Sequence, residues 1–330
     1  MSDNLPLVSV IITAYNRQVW VRDAIESVLN QTYKNIELIL VDNGSTDSTA
    51  EVLKEYASKH SFIKVICNGT NIRPTLSAMN GLKAATGDYI SWLCDDDFYL
   101  PEKIKTQVEC FSRLDSSYGF VYSSGYRLNA VSGEQWLSPC FKESGWVLKK
   151  IFQRYIKDGV IVPISPLIKR ECYIRYPFHP EILSEGDDIY VRFAMGYQFQ
   201  YIDMPLVVMR DHQNNMGKAT KTNTEMFLTT YARLLNEPEI KPDEKRLLKK
   251  YIACVMRNYS WQGIRVVRDK AWAWDCLKNS LKWDWKQIFH PRILATLVML
   301  FMPRNAQNLI AFFRKKREVV VAKESYSSFS

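Results

Sequence analysis

Apolar runs of strand length alternate with amphipathic patterns over the first 115 residues of the chain. Residues 7–15, 36–42, 62–66 and 87–94 are the runs that predict strands. Apolar residues at helical spacing follow these runs, and Pro101 suits the first turn of the helix predicted after the last of them. Because the strands are apolar almost throughout, we expect a mostly parallel sheet covered by helices on both faces, which is the α/β class.

The pattern changes beyond residue 115. Two later segments, 118–129 and 198–212, predict strands, and residues 184–199 predict a loop that opens a helix. From about residue 222 onward the apolar spacing is mostly helical. We therefore expect one domain over 1–220, built from halves at 1–115 and 116–220, then a helical region at 221–320 and a flexible tail at 321–330.

Polar clusters stand where three of the predicted strands end. They read TAYNR at 13–17, DNGSTD at 42–47 and CDDD at 94–97. The carboxyl ends of parallel strands meet at one edge of a sheet, where ligands of α/β proteins bind, so these clusters are expected to share a crevice. Three adjacent aspartates repel one another, and a divalent cation would offset that repulsion. The alternative for the aspartates is an ordinary turn that caps the next helix.

The usual backbone cradles for phosphate are missing from the sequence. It contains neither a P-loop nor a G-x-G-x-x-G motif. A bound nucleoside diphosphate would then need another source of positive charge. Carboxylates holding Mg²⁺ or Mn²⁺ can supply it, because these ions prefer oxygen ligands and leave coordination positions for phosphate.

Four segments carry a resemblance to a known family. VSVIITAYNR, AIESVLNQTYKNIELILVDNGSTDST, AMNGLKAATGDYISWLCDDDFYLP and DIYVRFAMGYQFQYIDMPLVVMRDH resemble the successive motifs of family 2 glycosyltransferases, which are inverting enzymes of the GT-A fold. The resemblance covers residues 7–215. It implies a GT-A nucleotide-binding sandwich with a helical region after it, a UDP- or dTDP-linked sugar donor held by 1–115, an acceptor held by 116–220, and a divalent cation, Mn²⁺ or Mg²⁺.

The resemblance also implies which residues bind the donor and the metal. Those expected at the nucleotide-sugar are Thr13, Ala14, Tyr15, Arg17, Asp42, Asn43, Arg73, Asp95 and Asp96. Those expected at the metal are Asp96, Asp97 and His212. Alignment from Pro101 makes Asp96 the principal ligand, whereas Cys94 stands where the family usually has an aspartate, which leaves the division of roles open. Arg73 and His212 are equally consistent with solvated loop side chains.

Inverting transfer needs a general base within reach of the acceptor hydroxyl. The segment SEGDDIYVR offers Glu185, Asp187 and Asp188 where the family has acidic residues. By counting back from Arg192, Asp188 is the first candidate, followed by Asp187. The alternative is that these acids only stabilise the N-terminus of a helix through its dipole.

The net charge of +9 is concentrated in the last quarter of the chain. Residues 241–330 contain 19 Lys and Arg against 7 Asp and Glu, and five of the nine tryptophans. Tryptophan beside basic residues is typical of helices at a membrane interface, so we expect peripheral membrane contact through 261–317. The alternative is a helical subdomain with a solvated basic face. The longest apolar stretch, 293–302, is too short to span a bilayer.

Cysteine usage and the N-terminus bear on the compartment. The seven cysteines form no C-x-x-C pair and no zinc-site spacing, which favours reduced thiols. The opening MSDNLP is short and polar, unlike a signal peptide. We therefore expect a cytoplasmic protein, working at the inner face of the cell membrane.

These features predict an inverting transfer of a sugar to a hydroxyl of a glycan or lipid-linked acceptor, in the synthesis of a bacterial surface polysaccharide such as O-antigen. One alternative is a nucleotidyltransferase acting on sugar phosphates, which would normally carry a glycine-rich loop where this chain has TAYNR. Another is a non-catalytic basic protein that binds membrane or nucleic acid. We expect no nucleic-acid partner, since residues 1–240 are slightly acidic, with 25 Lys and Arg against 28 Asp and Glu.

Overall fold

A computed structural model describes residues 5–184, 186, 188–213, 215 and 221–303. The chain divides into two compact units, the first formed by Met1–Lys218 with Glu225–Leu248, and the second by Ala219–Thr224 with Lys249–Ser330. The tail predicted at 321–330 and the last part of the segment 261–317 lie outside the described residues.

Nine strands of the described residues form one sheet in the first unit. They are β1 Val8–Ala14, β2 Ile36–Asp42, β3 Ile63–Cys67, β4 Tyr89–Cys94, β5 Phe98–Tyr99, β6 Tyr118–Asn129, β7 Gln135–Leu137, β8 Leu167–Lys169 and β9 Gln198–Asp211. Their order is β3-β2-β1-β4-β8-β6-β9-β5, with β7 paired to β6. The first four strands are mutually parallel, β6 and β9 are parallel, and the remaining pairs are antiparallel.

Eleven α-helices complete the described part of the chain. They are α1 Val21–Leu29, α2 Thr49–Lys59, α3 Pro74–Ala84, α4 Lys103–Phe111, α5 Leu148–Asp158, α6 Arg170–Arg175, α7 Asp188–Gly196, α8 Lys221–Leu234, α9 Pro242–Gln262, α10 Lys270–Trp283 and α11 Pro291–Phe301. A π-helical turn follows α9, and a 3₁₀ turn separates α10 from α11. Within the described residues, no helix combines the length and the apolar content that a membrane crossing requires.

The parallel sheet predicted from the apolar runs is confirmed. Every residue of β2 is buried, and the main core of the first unit gathers apolar side chains of β1, β2, α1 and α2. Side chains of a strand covered on both faces are all removed from water, which is why these runs are apolar throughout instead of alternating. The helix expected within 184–199 begins at Asp188, and the strand expected at 198–212 is β9.

Glu37 is a buried carboxylate at the start of β2. Its Oε1 accepts hydrogen bonds from Ser9 Oγ at 2.6 Å and from the backbone N–H of Thr86 at 2.6 Å, and its Oε2 pairs with Lys64 Nζ at 2.7 Å. Burial by itself raises the pKa of Glu37, but the hydrogen bonds from Lys64, Ser9 and Thr86 outweigh it and lower the pKa to about 2. The carboxylate thus ties β1 and β2 to the loop before β4.

The lowered pKa of Glu37 makes the stability of the first unit depend on pH. Because the folded-state pKa lies below the unfolded-state value, the stabilisation is present above about pH 4.5 and is lost as the pH falls toward 2. We expect Glu37→Gln to lower the free energy of unfolding by about 2 kcal/mol at pH 7, less than the full pKa shift implies because solvent screens the half-exposed Lys64. The variant should also lose less stability than wild type as the pH falls below 5. Urea unfolding measured across pH checks this, with exposed Glu134→Gln as control. Parallel pH profiles for wild type and Glu37→Gln would contradict it.

Candidate nucleotide and metal site

The pairing register brings the ends of three parallel strands together. Thr13 on β1 lies between Val41 on β2 and Cys94 on β4, and Ala14 lies beside Asp42. The backbone N–H of the residue after Asp42 donates to Ala14 O at 2.8 Å, which extends the contact past the strand ends. The polar clusters predicted to share a crevice therefore do so.

Asp42 has one carboxylate oxygen engaged by its own turn. The side chain is buried, and Oδ1 accepts a hydrogen bond from Ser45 N at 3.2 Å. Among the described residues, no donor reaches Oδ2. Oδ2 is therefore the carboxylate oxygen that is left to accept a hydrogen bond from a ligand.

Asn43 braces the neighbouring loop. Its Nδ2 donates to Asn71 Oδ1 at 3.0 Å and to Ile72 O at 2.9 Å, and its Oδ1 accepts from Asn68 Nδ2 at 3.0 Å. The amide is thus engaged on both sides within the protein. Asn43 fixes the loop beside Asp42, and its expected contact with the donor remains a prediction.

Gly44 is the residue on which this turn depends. Its φ is +75°, and a Cβ built there would lie 2.3 Å from the carbonyl carbon of Thr70. Only glycine avoids both the left-handed strain and the collision with backbone.

We expect Gly44→Ala to destabilise the first unit by about 3 kcal/mol or more and to weaken nucleotide binding, since the clash adds to the cost of positive φ. The matched control is Gly133→Ala. Gly133 has φ +73° with no atom within 4 Å, so that variant isolates the cost of the backbone conformation. Chemical unfolding of both proteins gives the comparison, and equal losses would show that the contact with Thr70 is unimportant.

Asp95 links the end of β4 to the end of β1. Its Oδ2 accepts a hydrogen bond from Tyr15 N at 3.1 Å, and its Oδ1 lies 3.5 Å from Arg17 Nε. Burial and the charge of Asp96 raise the pKa of Asp95 to about 7, against the opposing effect of Arg17. In the absence of a cation, the aspartate triplet therefore holds more negative charge than its surroundings stabilise.

Asp96 forms a buried pair with a histidine far away in sequence. His212 Nε2 lies 2.9 Å from Asp96 Oδ2, and both residues are less than 10% exposed. The ring of Trp20 packs on His212 with centroids 4.2 Å apart. The structure brings together Asp96 and His212, which were both expected at the metal.

Asp97 is held by β9. Its Oδ1 accepts a hydrogen bond from Arg210 N at 2.8 Å, and burial raises its pKa, with repulsion from Asp96 adding to the effect. The Arg210 guanidinium donates to Asp96 O at 3.2 Å and to Asp23 at 2.5 Å. Sequence reasoning missed Arg210, although it stands two residues before His212 in the MRDH segment.

The donor set fits a divalent cation. Ligand atoms of Cys94, Asp96 and Asp97 all lie within 4.8 Å of one another, and His212 reaches Asp96. Carboxylate oxygens suit both Mn²⁺ and Mg²⁺, whereas the imidazole nitrogen suits Mn²⁺ better than the harder Mg²⁺. A cation would offset the burial and the repulsion from Asp96 that raise the pKa values of Asp95 and Asp97. The position of Cys94 at this cluster was not expected, because the sequence offered only its departure from the family pattern.

A cavity of about 190 Å³ opens beside Cys94. Part of its wall is aromatic, with the Trp92 indole donating to Tyr173 OH at 2.6 Å and Phe178 packed against the Trp92 ring. The further lining residues are Thr13, Pro74, Thr75, Ala78, Pro163, Ile164, Ser184, Gly186, Ile189 and Tyr190. Sequence reasoning missed the aromatic residues, since nothing in their local pattern separates them from core positions.

Asp188 is the first residue of α7, next to Ile189 in the wall of this cavity. Tyr190 OH donates to Pro163 O at 2.8 Å and anchors the helix start against the facing loop. The other two candidate bases, Glu185 and Asp187, lie outside the described residues. Asp188 is thus the one candidate base whose position the described chain provides.

Arg73 contacts the loop that leads to α7. Its Nη1 donates to Pro180 O at 3.4 Å and lies 3.5 Å from Glu181 O. These weak contacts hold the exposed Arg73 next to Pro74, which lines the cavity. The expected contact of Arg73 with the base or the diphosphate remains a prediction.

Comparison with known sequences identifies the family of this site. The profile of glycosyl transferase family 2 matches residues 9–176, which is more than half of the chain. An uncharacterized glycosyltransferase of Rickettsia typhi is 38% identical over 164 residues, which are 49% of this chain and 46% of the relative. The chain thus spans about half the length of the curated Rickettsia relatives that it matches.

Comparison with solved structures shows the fold. The 1–349 fragment of S. aureus TarS in complex with UDP-GlcNAc is 17% identical with a TM-score of 0.63, covering 88% of this chain and 83% of that fragment. The mannosyltransferase PcManGT from Pyrobaculum calidifontis, in complex with GDP-Man and Mn²⁺, is 17% identical with a TM-score of 0.57, covering 89% of this chain and 86% of PcManGT. The expected GT-A fold is confirmed, and the chain belongs to glycosyl transferase family 2.

Proposed function

We propose that the chain transfers a sugar from a nucleoside-diphosphate donor to a hydroxyl group, with inversion at the anomeric carbon. The observation that carries this proposal is the convergence of Asp42, Asp95 and the Asp96–His212 pair at the ends of β1, β2 and β4. A nucleotidyltransferase is less well supported, because the turn after β1 is TAYNR and carries no glycine-rich phosphate loop.

The nucleotide is proposed to lie across the ends of β1 and β2. Asp42 Oδ2 would accept a hydrogen bond from the base, with Thr13, Ala14 and Tyr15 beside it, and Asp95 would face the ribose. Arg17 supports an anionic ligand here because its buried Nε makes no hydrogen bond to the described residues and is only 3.5 Å from Asp95. The proposed donor is a UDP- or dTDP-sugar.

Mn²⁺ or Mg²⁺ is proposed to be held by Asp96, Asp97 and His212. When bound, such an ion supplies Lewis-acid stabilisation of the departing diphosphate. The protein prepares the site by fixing Asp97 through the backbone of Arg210 and by packing Trp20 on His212.

Asp188 is proposed as the general base. It begins the helix that borders the cavity beside Cys94, where an acceptor hydroxyl could approach the sugar on the face opposite the diphosphate. Uptake of the hydroxyl proton by the carboxylate makes the oxygen nucleophilic while the bond to the diphosphate breaks. A single displacement of this kind inverts the anomeric carbon.

The acceptor is proposed to be a glycan or a lipid-linked oligosaccharide of a bacterial surface polysaccharide, held mainly by residues 116–220. Work on such an acceptor would take place at the inner face of the cell membrane. The basic character of the last quarter of the sequence supports this placement.

A binding screen on the purified chain tests the proposal. Calorimetry with UDP, dTDP and GDP, each with and without Mn²⁺, is expected to show metal-dependent binding of at least one nucleotide. Hydrolysis of a panel of nucleotide-sugars then identifies the sugar. Absence of binding to all three nucleotides, or binding that does not depend on the metal, would overturn the proposed function.

A further inference from the structure

The last described helix of the second unit exposes an apolar stripe. Leu294, Val298 and Phe301 of α11 are spaced four and three residues apart, so they share one face of the helix, and they are 51%, 61% and 81% exposed. Ile293 and Thr296 are the buried residues of α11. No charged residue follows Arg292 in this helix. The outer face of α11 is therefore apolar along its length.

The 3₁₀ turn before α11, at Trp285–Phe289, adds two exposed aromatic residues. Trp285 is 64% exposed and Phe289 is 73% exposed, with ring centroids 6.1 Å apart. Single exposed apolar residues are normal on soluble proteins, but a helical stripe next to an exposed aromatic pair is typical of an interaction surface.

A basic cavity of about 290 Å³ lies at the start of the same helix. Arg292 Nη1 donates to Asn258 Oδ1 at 2.9 Å, and the Arg265 guanidinium lies 5.3 Å from the centroid of the Trp261 ring. The remaining lining residues are Gln262 and Val266. Among the described residues that line it, none is acidic. Two guanidinium groups that line one concave site are suited to bind a phosphate group, because each presents several N–H donors in a planar fork.

The charge around these features favours an anionic partner. Residues 249–303 contain ten Lys and Arg against three Asp. The three acids are engaged locally, since Asp269 and Asp284 accept hydrogen bonds from the N–H groups of their own helical starts and Asp275 pairs with Lys278 at 2.8 Å. The sequence beyond residue 303 continues this bias with Arg304 and the RKKR segment at 314–317.

We propose that the second unit docks on an anionic lipid bilayer, with the phosphate of a lipid headgroup between Arg265 and Arg292 and the α11 stripe in the interfacial region. This proposal rests on the membrane placement given under the proposed function and names the surface that provides it. Arg292 lies in the first turn of α11, so the basic cavity is at the N-terminal end of the helix that carries the apolar stripe. A basic site next to an apolar face is what a helix lying in a membrane interface requires.

The test is flotation of the full chain with vesicles of phosphatidylcholine, alone and mixed with phosphatidylglycerol. We expect binding to the mixed vesicles only. Val298→Glu is expected to lower the partition coefficient about tenfold or more, because it removes an apolar group that would enter the bilayer and adds a negative charge facing anionic lipid. Arg265→Gln and Arg292→Gln are each expected to lower it about fivefold, and only for anionic vesicles.

Val131→Glu is the matched control, since Val131 is a 92% exposed valine of the first unit. It should float like wild type, and circular dichroism should give the same spectrum for all variants. Equal flotation of Val298→Glu and wild type would overturn the proposal. So would a dimer, measured by light scattering, that Val298→Glu converts to a monomer, because a second copy would then cover the stripe. Flotation uses neither donor nor acceptor, so its failure is distinguishable from loss of nucleotide binding.

Discussion

Replacing Asp96 with alanine is expected to abolish metal-dependent nucleotide binding and to reduce sugar transfer by roughly 10³-fold. Asp96 is the carboxylate that lies among the other candidate ligands, 2.9 Å from His212 and within 4.8 Å of the nearest ligand atoms of Cys94 and Asp97. A metal that stabilises a departing diphosphate is worth several kcal/mol of transition-state free energy, which corresponds to about this factor. Calorimetric titration with UDP or dTDP in the presence of Mn²⁺ measures the loss of nucleotide binding.

The control for this variant is Asp203→Ala. Asp203 is an aspartate of β9 whose side chain is 78% exposed and pairs with Lys142 on the surface. Asp203→Ala should bind nucleotide and Mn²⁺ like wild type. Metal-dependent binding by Asp96→Ala with wild-type affinity would exclude Asp96 as the principal ligand and would transfer that role to Asp97 or His212.

The strands and the crevice were predictable from sequence because both follow from short-range patterns. Buried parallel strands are apolar throughout, and polar residues gather where such strands end, so β1, β2 and β4 and the cluster that follows each of them can be read locally. The assignment of individual aspartates came from the family resemblance. The structure adds what each carboxylate contacts: Tyr15 N for Asp95, and Arg210 N for Asp97.

Contacts between distant segments were not predictable in the same way. Arg210 reaches Asp23 across 187 residues, and Trp20 packs on His212, which is 192 residues further along the chain. Lys103 is the clearest example. A lysine in the first turn of an amphipathic helix is normally solvated, yet this one is fully buried, donates to Ser91 Oγ at 2.8 Å and has its pKa lowered by burial. Only the tertiary packing of β4 against α4 reveals it.

Asp188→Asn is expected to retain donor binding and to lose transfer by about 10²- to 10⁴-fold, the usual contribution of a positioned general base. The amide has nearly the same shape as the carboxylate, so α7 should still begin at this residue beside the cavity. An amide cannot take the proton of the acceptor hydroxyl. The nucleotide site at β1, β2 and β4 does not include Asp188, which is why binding of the donor and transfer of its sugar are expected to separate.

The same measurement should be made on variants of the two neighbouring acidic residues. Asp187→Asn and Glu185→Gln change the same segment and remove the same kind of charge, so they control for the helix N-terminus, where any acid is stabilising. If Asp188 is the base, kcat falls most in Asp188→Asn, and the acidic limb of the pH–rate profile, which reports titration of the base, disappears in that variant alone. Unchanged transfer by Asp188→Asn, with a large loss in either of the other two variants, would assign the proton transfer to the residue changed in that variant and show that Asp188 serves only to start the helix.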